Sequence, residues 1–421
     1  MILGVIADDF TGATDIAGFL VENGMRTIQV SGIPRRPINL EVDAIVVSLK
    51  SRSCEPQLAI DESVAVAKWL KEQGCKQFYF KYCSTFDSTE NGNIGPVTDA
   101  LLKVLDSQFT IVCPALPVNG RTVFNGHLFV FEELLSESGM RNHPVTPMTD
   151  SNLIHLMNAQ SQGNTGLVTY DVNEKGPQAI QDRLNTLQQE GFDYAVVDAF
   201  KSEHLDNIAV AIKDMTLVTG GSGLAAGIAK NWIKGDANLD EAKKLGQPTK
   251  GKTIIFSGSC SEMTNKQVAK YQSLAPHYAL NVEHCINDSE AYVREVFLWC
   301  LKHGDMKYAP LVYATAPADI LKDIQRNYGA QKASTAVEQF FSQLAIKLED
   351  SGVKNFIVAG GETSGIVTQS LGVSGFYIGP QIAPGVPWIK SLDGQLSLAL
   401  KSGNFGNEDF FEIAQGYFYD K

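Results

Sequence analysis

The sequence predicts an α/β protein of two domains, each a mostly parallel sheet flanked by helices. Two observations carry this. Short apolar, β-branched runs alternate with longer helical patterns almost throughout, the signature of strands joined by crossover helices. The 421 residues exceed what one core ordinarily serves and fit two domains of roughly 150–250 residues each.

In the first half the spacing predicts strands at Ile2–Ala7, Ala44–Ser48, Phe78–Lys81, Thr110–Cys113, Leu167–Tyr170, Ala195–Asp198 and Thr216–Thr219. Helical patterns lie between them, at Ala13–Asn23, Gln57–Glu72, Pro96–Leu105, Ser151–Gln160, Pro177–Glu190 and Leu205–Asp214. Arg121–Phe131 breaks the rhythm and reads as an inserted hairpin. From Gly235 to Lys252 the chain turns polar with almost nothing apolar to bury, which predicts a linker. The domains are therefore expected at 1–234 and 253–421. In the second, strands are predicted at Thr253–Phe256, Leu311–Ala314, Phe356–Ala359, Phe376–Ile378 and Leu396–Leu400. Its helices are Met263–Leu274, Ser289–Lys302, Ala318–Asn327, Ser334–Asp350 and a shorter one from Glu362.

Composition excludes several function classes. Apolar residues at 44% and charged residues at 19% are the balance of a globular chain. The net charge of -12 comes with no basic stripe, which argues against a nucleic-acid partner. No run approaches the 18 apolar residues of a membrane helix, and the opening lacks the n-region and cleavage site of a signal peptide. Seven scattered cysteines without a CxxC pair fit a reducing compartment, so a cytoplasmic location is expected. The seven histidines show no HxH or HExxH spacing; no built-in zinc site is predicted, and no side chain is assigned to a metal. Oligomeric state is not legible, and a homodimer is one option.

In open α/β sheets ligands sit beyond the carboxyl ends of the strands, so chemistry is sought just after each strand. Asp8-Asp9-Phe10-Thr11-Gly12-Ala13-Thr14-Asp15 joins the first strand to the first helix. Thr11 or Asp9 can cap that helix, and Asp15 in its first turn suits the dipole. Three carboxylates overshoot what capping needs, so Asp8, Asp9 and Asp15 are candidates to hold substrate hydroxyls or act as general base. Lys81 through Thr89 gathers a lysine, an aspartate and five hydroxyl groups in nine residues. That density suits a polyhydroxylated anion, although Ser- and Thr-rich loops are also ordinary turn chemistry. Lys81, Ser84, Thr85 and Asp87 are the substrate candidates.

Thr219–Gly227 contains Gly221-x-Gly223-x-x-Ala226, a variant dinucleotide fingerprint. The acidic residues at the right distance, Asp240 and Glu241, follow no strand, so NAD binding is the weaker reading and close packing remains open. Three further turns follow predicted strands of the second domain, beginning at Ser257, Ala359 and Lys401. Their small residues let backbone N–H groups approach phosphates; Ser257, Gly258, Ser259, Gly360, Gly361, Glu362, Thr363 and Gly403 are the nucleotide candidates. A Walker A pattern and the protein-kinase motifs are absent from the sequence.

With those segments quoted, the chain resembles the four-carbon acid sugar kinase family. The opening Val5–Asp15, Lys81-x-Cys83-Ser84-Thr85-x-Asp87-Ser88, Ser257-Gly258-Ser259 and Gly360–Gly365 carry the likeness, in the same order over nearly the whole chain. Within the family the opening is most similar to members acting on 3-oxo-tetronate; kinases of threonate or erythronate remain the alternative. The resemblance implies an N-terminal domain for the acid and a C-terminal domain for ATP, with the active site in the cleft between them and Mg²⁺ bridging the phosphates. It puts the acid on Asp8, Asp9, Lys81, Thr85 and Asp87, and ATP on Ser257, Ser259, Gly360 to Thr363 and Gly403. A NAD-dependent oxidoreductase and a non-catalytic sugar-acid sensor are the readings from other classes.

Overall fold

The computed structural model describes residues 2–34, 40–143, 145–233 and 237–418. The chain divides into two compact units, Met1–Lys243 and Lys244–Lys421.

The first unit contains β1 (Leu3–Ala7), β2 (Thr27–Ser31), β3 (Ala44–Ser48), β4 (Gln77–Lys81), β5 (Thr110–Cys113), β6 (Arg121–Phe124), β7 (His127–Val130), β8 (Glu133–Leu134), β9 (Thr165–Val168), β10 (Tyr194–Val197) and β11 (Leu217–Gly220). Its main sheet runs β2-β3-β1-β4-β11-β5-β10-β9, and each of these pairs is parallel. Strands β6, β7 and β8 form a separate antiparallel sheet from the predicted insertion. Parallel strands covered on both faces are expected to be apolar throughout, and β1 and β3 are buried at every residue. The chain moves out from β1 to β2, returns to β3, then crosses to β4 on the other side of β1. That reversal is the topological switch where α/β sheets open a crevice.

The second unit contains β12 (Lys252–Ser257), β13 (His277–Ala279), β14 (Leu311–Tyr313), β15 (Val353–Ala359), β16 (Gly375–Ala383), β17 (Val386–Ser391) and β18 (Ser397–Lys401). Their order is β13-β14-β12-β15-β18-β17-β16. The pairs from β13 to β18 are parallel, whereas β17 runs antiparallel to both its neighbours. Its core is aromatic: Trp388, Tyr271, Phe410 and Phe411 are buried together. Burial of a large apolar side chain contributes about 1.5–3 kcal/mol, and the polar edges of these rings are satisfied. Trp388 Nε1 donates to the Ala414 carbonyl at 3.1 Å, and the Tyr271 hydroxyl donates to the Ala309 carbonyl at 2.8 Å.

Two departures from the sequence reading have clear causes. Strand β2 went unpredicted because Gln29 interrupts its apolar run, yet Gln29 is fully buried there. Strand β17 was hidden by Pro387, which ordinarily argues against a strand interior; it sits where the register with β16 shifts. The predicted linker is also more ordered than its polarity suggested. Part of it lies outside the described residues, but Ala237–Leu245 is a helix, Ala242 is fully buried, and Lys243 pairs with Glu22 at 2.6 Å.

Candidate active site

In the first unit four strands end level. Ala7 of β1 is in register with Ser48 of β3 and with Lys81 of β4, and Lys81 is in register with Gly220 of β11. The residues that follow these ends are therefore brought together. Asp8 is almost fully buried, and its backbone N–H donates to the Lys81 carbonyl at 3.0 Å. Arg52, four residues past β3, grips it with both ends of its fork: Nε donates to Asp8 Oδ2 at 2.8 Å and an η-nitrogen donates to Oδ1 at 2.9 Å. The same η-nitrogen reaches Asp9 Oδ1 at 2.8 Å.

Asp9 has a second task, because Oδ1 also accepts the Gly12 N–H at 2.9 Å and so caps the helix Phe10–Glu22. The capping account thus holds for Asp9 and not for Thr11. Asp15 lies in the second turn of that helix, not the first, since the helix begins at Phe10 rather than Ala13. Its carboxyl is pushed up by burial, opposed by the Lys81 ammonium and the Ser222 hydroxyl. Lys81 is buried and donates to the Tyr82 carbonyl at 2.8 Å. A Cβ on Gly12 would overlap Asp9 Oδ1 and lie 2.8 Å from Lys81 Nζ, so a side chain there would displace one or both.

Burial also pushes the Asp8 carboxyl up, against the hydrogen bonds and charge of Arg52. Burial likewise disfavours the Arg52 charge, but the bonds and field of Asp8 outweigh it and raise the guanidinium above its ordinary value. Asn93 fixes the Arg52 loop, its Nδ2 donating to the carbonyls of Ser51 (2.7 Å) and Cys54 (3.0 Å). Asp8, Arg52, Asp87 and Asn93 line one small cavity of about 10 Å³, room for about one water. On its rim the Thr85 hydroxyl donates to Asp87 Oδ1 at 2.7 Å. Ser84 is half-buried beside them. Ser88, in contrast, is structural: its hydroxyl donates to Gln160 Oε1 at 2.6 Å and accepts the Ile94 N–H. Cys83 is no nucleophile, because burial pushes its thiol up to about 12.

The second unit repeats the arrangement with different material. Ser257 of β12 is level with Tyr313 of β14 and Ala359 of β15, and Ala359 is level with Lys401 of β18. The Ser257 hydroxyl bonds the Thr315 hydroxyl at 2.6 Å, both buried. Gly258 lies so close to Thr363 that a Cβ would overlap its hydroxyl, and a Cβ on Gly403 would lie 2.6 Å from the Ser259 hydroxyl. Gly360 has φ +124°, a conformation that a side chain would strain. The helix Gly361–Ser370 then begins with no side-chain cap. The N–H groups of Gly361, Glu362 and Thr363 have no acceptor among the described residues, leaving an N-terminus of the kind that binds anions.

The glycines of the dinucleotide-like segment have another explanation. A Cβ on Gly221 would meet the Pro114 carbonyl, and one on Gly223 the Ala115 carbonyl. These residues let β11 and its following turn approach the chain beyond β5. Arg52 was overlooked in the sequence, although the strand-end rule that found Asp8 and Lys81 applies equally to it. Thr315, two residues past β14, was missed for the same reason.

Residues 3–228 match the family model of a sugar-binding N-terminal domain, and residues 254–411 that of a nucleotide-binding C-terminal domain. The chain belongs to the four-carbon acid sugar kinase family. It is 58% identical over 419 residues to a Haemophilus influenzae protein named 3-oxo-tetronate kinase, covering 99% of this chain and 100% of that protein. An Escherichia coli protein of the same name is 56% identical over 384 residues, 91% of this chain and 98% of its own length. A crystal structure of a Haemophilus influenzae protein superposes with a TM-score of 0.92 at 57% identity, covering 99% of this chain and all of that one.

Proposed function

We propose that this chain is an ATP-dependent kinase that phosphorylates the terminal C4 hydroxyl of 3-oxo-tetronate, giving 3-oxo-tetronate 4-phosphate. The observation that carries the reading is the presence in one chain of two donor sets of different chemistry. One is a carboxylate, guanidinium and ammonium cluster at Asp8, Asp9, Arg52 and Lys81. The other is a set of glycine turns opening an uncapped helix. The substrate itself is supported by the relatives that carry that name over nearly their whole length.

In this reading unit 1 holds the acid and unit 2 the nucleotide, with the division near residues 235–252. Lys81 meets the substrate carboxylate; Ser84, Thr85 and Asp87 hold its oxygen functions. Of the three aspartates, Asp8 is engaged by Arg52 through both oxygens and Asp9 by Arg52 and the Gly12 amide. Asp15 keeps a carboxylate whose proton affinity burial has raised, the property a general base needs near neutral pH. It is the candidate to accept the proton of the attacking hydroxyl. Phosphoryl transfer asks the protein mainly for positioning and charge stabilisation. The amides of Gly361, Glu362 and Thr363 supply donors, with Ser257, Gly258, Ser259, Gly360 and Gly403 shaping the turn around them.

Mg²⁺ fits this site. A nucleotide brings the ion already bound to phosphate oxygens, so few protein ligands are required. Glu362, exposed at the first turn of the uncapped helix, offers the hard oxygen donor the ion takes. When bound, the ion would neutralise charge on the phosphates. Among the described residues no helix is long and apolar enough to cross a membrane, and all seven cysteines are free, in keeping with a cytoplasmic enzyme. Incubation with ATP and 3-oxo-tetronate, followed by phosphorus NMR, tests the proposal. A phosphomonoester coupled to the C4 protons is the expected product, and unreacted acid with intact ATP would refute it.

A further inference from the structure

Lys401 takes no part in the chemistry described so far. It ends β18, is almost wholly buried, and donates from Nζ to the carbonyls of Ser402 (3.1 Å) and Gly403 (2.8 Å) and to the Thr264 hydroxyl (3.1 Å). The Thr264 hydroxyl in turn donates to the same Gly403 carbonyl at 2.7 Å. The Phe410 ring lies 5.9 Å from the ammonium.

Among the described residues, no charged group on the surrounding elements is found in an ion pair with Lys401. On the helix Glu262–Gln272, Glu262 pairs with Lys266 at 2.9 Å, and Glu408 also acts on Lys266. On the helix Phe410–Gln415, Glu412 accepts from the Tyr308 hydroxyl at 3.4 Å, and Asp409 precedes that helix. Lys354 of β15 and Lys390 of β17 flank the opposite end of β18. Among the described residues no carboxylate charge acts on Lys401, and burial alone lowers its pKa to about 8. A buried ammonium answered only by neutral oxygens is costly, which calls for a reason.

The geometry supplies one. A trans peptide points its C=O and its N–H in opposite directions. With the Ser402 and Gly403 carbonyls both drawn onto Nζ, the N–H groups of Gly403 and Asn404 face away from it. Neither has an acceptor among the described residues. Successive N–H groups facing one way form an anion-binding concavity. We infer that Lys401 is a positioning residue for the nucleotide, locking two peptide planes so that the Gly403 and Asn404 amides form a donor pair for phosphate oxygens. The inference rests on the nucleotide reading of this turn and adds to it Asn404 and the residue that orients both amides.

Calorimetry on the full chain with ATP, ADP and adenosine tests it. Lys401→Met is expected to weaken ATP and ADP about 10- to 100-fold, the range of a lost charge-assisted hydrogen-bond set, and to leave adenosine unchanged. Thr264→Val should move the same way by less, and it carries the test if the methionine variant does not fold. In the wild type, ATP affinity should fall between pH 7.5 and 9 as the ammonium loses its proton, and that slope should vanish in Lys401→Met. Equal losses for ATP and adenosine, or full ATP affinity in a folded variant, would overturn the positioning role. A wild-type protein that binds neither ATP nor adenosine would overturn the nucleotide reading itself.

Discussion

The two units wind their first four strands identically and build their sites from different material. In the first the order is β2-β3-β1-β4, in the second β13-β14-β12-β15, each with a reversal beside its opening strand. Each unit then aligns four strand ends. Beyond the level ends of unit 1 stand charged side chains, held by Arg52 and its Asn93 clamp. Beyond those of unit 2 stand glycines and hydroxyl groups, with bare amides and one inward-facing lysine. The proposed ligands account for the contrast. A small acid with several oxygen functions has to be distinguished by side chains, each a separate donor or acceptor. A phosphate is bound well by backbone N–H groups, provided no Cβ stands in the way. Unit 1 should therefore break when a charge is removed, and unit 2 when a carbon is added.

The largest effect expected is on turnover. Asp15→Asn should lower kcat about 10²–10⁴-fold, the usual contribution of a positioned base, while ATP affinity stays unchanged by calorimetry. Because burial raises the Asp15 pKa above 3.8, and a base works only when deprotonated, activity should fall as pH drops through that raised value. That acid limb should be missing from the variant's pH profile. Arg52→Met should raise KM for the acid and destabilise unit 1 by up to about 3 kcal/mol in denaturant unfolding, since it strands buried Asp8 without its partner. Gly360→Val should weaken ATP more than about tenfold through its disallowed φ and crowding of Ser259. The smallest change expected is Lys243→Ala, within about 0.5 kcal/mol for a half-exposed ion pair. A large loss there would mean that the helix Ala237–Leu245 matters more to the first unit than its polarity suggests.

What could be read from the chain followed from local rules. Strand-to-helix alternation exposed the fold, and looking past each strand end located Asp8, Asp9, Lys81, Ser257 and Gly360. What could not be read depended on tertiary partners. Gln29 and Pro387 disguised β2 and β17 because only a finished sheet shows that a buried amide and a bulge are tolerated there. Asp15 was assigned to the wrong turn because the helix begins at Phe10, not at Ala13. Arg52 went unassigned because only the register of β3 with β1 brings it to Asp8. Lys401 opens one of the turns past the strands of the second domain, but its inward orientation cannot be inferred from neighbouring residues.

The side-chain-built site of unit 1 is proposed to select a four-carbon keto acid for phosphorylation. A coupled ADP-release assay measures it directly, comparing kcat/KM for 3-oxo-tetronate, D-threonate, L-threonate, D-erythronate and five- and six-carbon acids. A clear maximum for 3-oxo-tetronate is expected, with discrimination reaching about 10⁴-fold where an analogue leaves a buried polar group unpaired. A maximum for threonate or erythronate would contradict the substrate while leaving a kinase. No ADP release with any four-carbon acid, beside NADH formation with one, would overturn both substrate and kinase.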